Sequence, residues 1–275
     1  MALKAAEHYL WEPLELIPEL RVAGEEWRKL HDMPDGFQLF HYTTVEGMHG
    51  ILKDRSLWLS HAACFNDPNE VDYGRHLVLE ILNSFITLEE KTPIGEFLGG
   101  MIEYVQLLGK PFHHQAFVVC FCKKGNQLSQ WREYANKGRG YSCGFEFSEA
   151  TRISSSPEAL TAGKQPIIRK VIYDGAEQIR LVTNYLEKSR SAVTELHRAG
   201  ADLGRMSLQS VNVLLEMILC FKHPAFEEER EWRLFRAVMD SSKSEELRFR
   251  DSAGLLVPYR PTYLFDFGGS EPTFP

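Results

Sequence analysis

Two glutamates separated by one residue, Glu229 and Glu231, close an acidic run and open an apolar one in "EEEREWRLF". On a strand, alternation puts both on one face with Arg233 and Phe235, while Arg230, Trp232, Leu234 and Arg236 face the other way. Carboxylates at the mouth of a cleft can hold a sugar hydroxyl and stabilise a cationic transition state. Taken alone, they read first as a charged strand edge that discourages aggregation. A second candidate is "FHYTT" at residues 40–44. His41 and Tyr42 stand on a strand, and Thr43 with Glu46 reads as a capping box that fixes a helix start just behind them. Such a start offers free N–H groups to phosphate, though His41 can also be a histidine bonded inside a strand end. The third is "LSQWREYANKGRGY" at residues 128–141, where Arg132, Lys137 and Arg139 interleave with Trp131, Tyr134 and Tyr141. Lys123 and Lys124 lie upstream, and Glu133 is the single acid. This composition can grip a flat anionic ligand such as a nucleotide; it can also be a solvated helix anchored by Trp131.

Other chemistry is poorly served. His113 and His114 are adjacent, so a strand would point them apart, and Cys120 and Cys122 read as buried thiols of a core strand. There is no C-x-x-C pair and no H-E-x-x-H, which argues against a structural zinc site and leaves no metal expected. Cys143 lacks an activating context, and no G-x-S-x-G elbow occurs.

The elements that must position these residues follow from periodicity. Residues 1–36 read as a helical lead-in ending in "MPDG". Strands are predicted at "FQLFHY", "SLWLSHA", "QAFVVCFC", "YSCGFEF", "PIIRKVIYD" and "EREWRLFRAV", with two more short ones in "GLLVPYRPTYLFDF". Helices are predicted after Thr43, in two pieces over 73–109 and in two long pieces over 176–221. Strands in separated groups, without βαβ alternation or G-x-G-x-x-G, predict a single α+β domain over 1–275 with mainly antiparallel pairing and no doubly wound dinucleotide fold. The insertion at 176–221 suits a lid, an acceptor-docking element or a dimer surface, and the sequence leaves the oligomeric state open.

A net charge of −7 gives no bulk attraction for nucleic acid. The five cysteines are odd in number, and the N-terminal "MALKAAEHYLWEPLELIPEL" breaks the apolar core of a signal peptide with acids and prolines. Its longest apolar patch, "VNVLLEMILCF", carries Glu216 and is too short for a membrane span. These features predict a cytoplasmic location with reduced thiols and no membrane partner.

The order His–Tyr–Thr, then an aromatic among basic residues, then E-x-E, resembles the ADP-ribosyltransferase superfamily, whose signature is three motifs on three strands. More closely, "HYTT", "LWLSHAACFNDPNE", "FVVCFCKKGNQLSQWREYANKGRGYSCGF" and "KHPAFEEEREWRL" look like a bacterial family known as domain of unknown function 2971, related to those transferases. The resemblance implies a split antiparallel β core that grips NAD, used as a substrate. By it, His41 would bond the nicotinamide-side ribose. Trp131, where the superfamily often has tyrosine, would stack on nicotinamide. Glu231 would be the catalytic carboxylate, with Glu229 as the alternative register. Tyr42, Thr43, Arg132 and Tyr141 stand beside these positions as further cofactor contacts. "SQW" replaces the S-T-S of some members, and Asn66, Asp67 and Glu70 belong to the narrower resemblance without an assigned role. The implied activity is transfer of ADP-ribose to a protein, nucleic acid or small-molecule acceptor, in a toxin, effector or phage-defence setting. NAD glycohydrolysis on the same site, or a non-catalytic nucleotide-binding module of the same fold, are the alternatives.

Overall fold

The computed structural model describes residues 18–31, 34, 36–65, 69–87, 89, 91–107, 115–147, 151–154, 167–238, 247–252 and 254–266. Two short helices, α1 (Pro18–Ala23) and α2 (Glu25–Lys29), lead into strand β1 (Phe37–Thr43). Helix α3 (Val45–Asp54) and strand β2 (Ser56–His61) follow, then helices α4 (Glu70–Ile86) and α5 (Pro93–Leu107). Next come β3 (Gln115–Cys122), α6 (Leu128–Glu133), β4 (Tyr141–Phe147), β5 (Thr151–Ser154) and β6 (Ile167–Lys170). The long helices α7 (Gly175–Arg198) and α8 (Leu203–Cys220) precede β7 (Glu231–Val238), β8 (Arg248–Ser252) and β9 (Leu255–Asp266).

The predicted α+β class with antiparallel pairing holds: among the described residues all eight strand pairings are antiparallel. Strands β3 and β4 match "QAFVVCFC" and "YSCGFEF" residue for residue. Three predictions need correction. The tail forms one continuous strand, β9, rather than two. It tolerates its prolines because each is paired along one edge only, Pro258 with Phe249 of β8 and Pro261 with Trp58 of β2, so a missing N–H can face the open side. Helix α3 is capped by Thr44, whose Oγ1 accepts from Gly47 N at 3.2 Å, one residue later than the Thr43 cap the sequence suggested. Strand β7 begins at Glu231; Glu229 ends a 3₁₀ turn, and Arg230 between them is left-handed with φ 47°.

One topological feature makes a site. The β3 strand pairs along its whole length with β7 on one edge. Its other edge is divided, with β2 taking Phe117 and Val118 and β1 reaching it only through Phe40 opposite Cys122. Between these contacts that edge of β3 has no strand partner among the described residues, which makes a fork in the sheet. The sheet curls around an apolar cluster that includes Leu39, Leu57, Leu59, Phe117, Phe121 and Leu234. The opposite face carries Val118 and Phe235 against the helical layer of α4, α5, α7 and α8. Among the described residues no helix is long and apolar enough to cross a membrane.

The helical layer also sets a distance needed at the fork. A Cβ at Gly74 would lie 2.5 Å from the Ile218 carbonyl oxygen, so glycine is what lets α4 press on α8. Glu70, one turn earlier on α4, is thereby brought beside the end of α8. Gly74→Ala is expected to destabilise the fold by about 1–3 kcal/mol by overpacking backbone against backbone, read as a fall in melting temperature.

Candidate functional site

His41 occupies the fork. Its Nδ1 lies 2.9 Å from the Cys120 carbonyl oxygen, on the stretch of β3 that is paired along one edge only. A carbonyl only accepts, so Nδ1 carries the proton and Nε2 keeps its lone pair. Burial holds the imidazole below its ordinary pKa, against the Cys120 carbonyl, and the charge of Arg250 lowers it further. At neutral pH His41 is thus a neutral ring with an acceptor to offer.

A small cleft opens beside it, lined by Phe40, His41, Tyr42, Cys120, Phe121, Gln130, Tyr134, Glu229 and Glu231. It has room for a few waters. A nucleotide is larger, so binding one must move the walls.

The floor is a buried ionic cluster. Arg233 Nε donates to Glu231 Oε1 at 2.8 Å, and its Nη2 donates to Glu231 Oε2 at 3.1 Å and to Glu70. Lys222 Nζ lies 3.0 Å from Glu231, 2.5 Å from Glu229 and 3.3 Å from Glu70. Exposure is 1% for Arg233, 4% for Lys222 and 5% for Glu231, so these charges are shielded from water. Aromatic rings add to the shielding, with Phe65 against Arg233 and Phe226 against Lys222. Backbone pins the cations. Lys222 N donates to the Ile172 carbonyl, and Arg233 Nη1 donates to the Leu219 carbonyl at 2.6 Å.

Three carboxylates therefore face two cations. Both Glu231 oxygens are used, and its backbone N–H donates to the Tyr173 hydroxyl. Glu229 bonds Lys222 through Oε2, and its Oε1 has no hydrogen bond among the described residues. Burial pushes the Glu229 carboxyl above its usual 4.5, and the like charge of Glu231 adds to this against the pull of Lys222. Burial by itself would lower Lys222, yet Glu231 and Glu229 outweigh it and push it up. Burial also pulls Arg233 down to about 9, which still leaves it charged at neutral pH. Cys120 is held as a thiol by burial and by the neighbouring Glu231 charge, and this excludes it as a resting thiolate nucleophile.

The predicted site residues separate into two groups. His41, Tyr42, Glu229 and Glu231 line the cleft together. Tyr42 is also a tie: its hydroxyl donates to the Lys124 carbonyl at 2.6 Å and accepts from Gln127 N at 2.9 Å. Trp131 does not line the cleft. It packs edge-on against Tyr42 at 5.3 Å and donates Nε1–H to Asn126. Tyr134 is the aromatic that faces the carboxylates, and burial, with Glu229 next in effect, raises its hydroxyl pKa. Thr43 and Tyr141 pair with each other where β1 meets β4, outside the cleft, and Arg132 is exposed on α6. Glu70 gains a clear place in the ionic cluster. Asn66, Asp67, His113 and His114 lie outside the described residues.

Sequence reasoning missed Lys222, Arg233, Tyr173 and Gln130 as site residues, and treated Cys120 as plain core. The missed signal was a lysine and an arginine in otherwise apolar surroundings, "LCFKHP" and "EWRLF". Buried cations demand buried carboxylates.

Residues 130–234 match the model of a family described as "Protein of unknown function (DUF2971)". The matched stretch contains Tyr134, Lys222, Glu229, Glu231 and Arg233, while His41 and Glu70 precede it. No curated protein and no solved structure matches the chain.

Proposed function

We propose that this chain cleaves the nicotinamide–ribose bond of NAD in an ADP-ribosyltransferase type of reaction. The observation that carries the reading is the meeting of His41, Tyr134 and the Glu229–Glu231 pair on one cleft at the sheet's fork. The reading is supported by the fork, where a split core of the kind the sequence resemblance implies would open. In this reading the neutral Nε2 of His41 accepts a hydrogen bond from a ribose hydroxyl, and the Tyr134 ring packs against nicotinamide in the role first given to Trp131. The glycosidic C–N bond breaks with its electron pair staying on nicotinamide nitrogen, so the leaving ring becomes neutral and the ribose becomes cationic. Glu229, the carboxylate in excess over the cations, stabilises that developing charge. Glu231, locked by Arg233 and Lys222, positions it. An acceptor hydroxyl, amine or water then attacks the sugar carbon, and its proton passes to Glu229.

The experiment is to incubate the purified chain with NAD and follow nicotinamide release by chromatography, with and without cell lysate carrying an acceptor. Wild type is expected to release nicotinamide, and His41→Ala to do so at least about tenfold more slowly, in the range for loss of a hydrogen bond in the transition state. ADP-ribose on lysate components indicates transfer; free ADP-ribose indicates hydrolysis. Folded wild type that releases no nicotinamide under either condition would sink the proposal.

A further inference from the structure

We propose that Arg250 is an anion-binding residue beside the cleft, placed to take phosphoryl oxygens of a bound nucleotide. This deepens the nucleotide reading and rests on it for the ligand's identity. The arginine is on β8, but its Nη2 donates to Ser60 Oγ of β2 at 3.0 Å, so its side chain spans the intervening strand β9. Ser60 pairs with Val118 of β3, two residues before the Cys120 carbonyl that holds His41. The guanidinium thus ends at the fork, close enough for its charge to disfavour protonation of His41.

Its surroundings differ from those of the other two cations of the region. Lys222 and Arg233 are each matched by carboxylates. Among the described residues no carboxylate is paired with Arg250, and its Nε is buried without a hydrogen-bond partner. The ionisable groups acting on it are the Cys64 thiol and the Tyr259 phenol. Arginine remains protonated under such conditions, so a half-buried guanidinium is left with one serine hydroxyl and an unused N–H. A doubly charged oxygen ligand supplies the missing acceptors in a bidentate arrangement. The region then has opposite polarity at its two ends, with surplus negative charge at Glu229 and surplus positive charge at Arg250. A molecule with a cationic ring and an anionic diphosphate complements both.

The test is titration calorimetry of the full chain with inorganic pyrophosphate, alongside steady-state cleavage of NAD and of nicotinamide riboside, which has no phosphate. The variants are Arg250→Ala and Arg250→Lys. Arg250→Gln replaces alanine if that variant's melting temperature falls. Expected are pyrophosphate binding by wild type and a loss of about tenfold or more in the alanine or glutamine variant, with lysine intermediate. KM for NAD should rise by a similar factor, with little change in kcat and none in riboside cleavage. Pyrophosphate binding unaffected by loss of Arg250, or absent from wild type, overturns the site. Arg250-dependent pyrophosphate binding by a chain that never releases nicotinamide sustains the anion site and removes the cleavage reading. Nicotinamide release with unchanged KM in the alanine variant does the reverse.

Discussion

Glu229→Gln is expected to lower nicotinamide release by about a hundredfold or more, the scale on which a single electrostatic contact to a transition state acts, while the melting temperature stays near that of wild type. The reason lies in how the two glutamates are held. Glu229 is the less buried of the pair, ends a 3₁₀ turn and commits one oxygen to Lys222. Glutamine keeps its shape and removes only the surplus charge. The pH behaviour follows from the raised Glu229 pKa. A carboxyl whose folded pKa exceeds its unfolded value adds stability at low pH, and that contribution is lost as pH rises through the folded pKa. Wild type should therefore lose stability relative to Glu229→Gln across that interval, and the acid limb of its pH–rate profile should lie above 4.5. Glu231→Gln gives the contrasting case, with activity and stability falling together because Arg233 and Lys222 lose a buried partner. Full activity in Glu229→Gln, with a selective loss in a stable Glu231→Gln, would exchange the two roles.

The second large effect is on stability. Arg233→Met should cost about 3–5 kcal/mol, the usual penalty for breaking a buried ion pair by removing one partner. Melting temperature should then fall by roughly 10 °C for a domain of this size. Methionine fills a similar space but leaves Glu70 and Glu231 with only Lys222 between them. Replacing Arg233, Glu70 and Glu231 together with apolar residues of similar volume should recover much of that loss, since a packed apolar cluster rivals a buried ionic one. Thermal melting of the single and triple variants distinguishes the cases. A single variant that melts within a degree or two of wild type would mean that water reaches the cluster and screens it.

Much of the scaffold could be read from the residues alone, for identifiable reasons. Strand β3 joins Val118 and Val119 to phenylalanine and cysteine and stops at Lys123, and β4 is rich in aromatic residues and starts after Gly140, so composition marks those ends. By contrast, β5 and β8 were missed because "TRIS" and "RFRDS" are short and polar. They are strands because β9 offers them an edge, and that is a tertiary effect. The site was legible to the extent that chemistry is local. His41, Glu229 and Glu231 were singled out by residue type and order, and the structure places them on one cleft. The E-x-E spacing was nevertheless explained by the wrong geometry. A left-handed Arg230 turns Glu229 out of the strand, and both acids converge because Lys222 attracts them. The central aromatic illustrates the same limit. Trp131 and Tyr134 are three residues apart on one short turn, and Tyr134 faces the cleft because Trp131 packs against Tyr42.

The ionic cluster also implies an order of events during folding. Lys222 meets Glu229 and Glu231 across seven and nine residues of chain, whereas Arg233 meets Glu70 across 163. The first set can gather as soon as the turn between α8 and β7 is made. The second waits for α4 to dock, and long-range contacts of this kind are the slow ones. Until then the nascent turn carries two acids against one lysine and remains hydrated. The cleft thus belongs to the last-formed part of the molecule, complete only once its most distant segments have met.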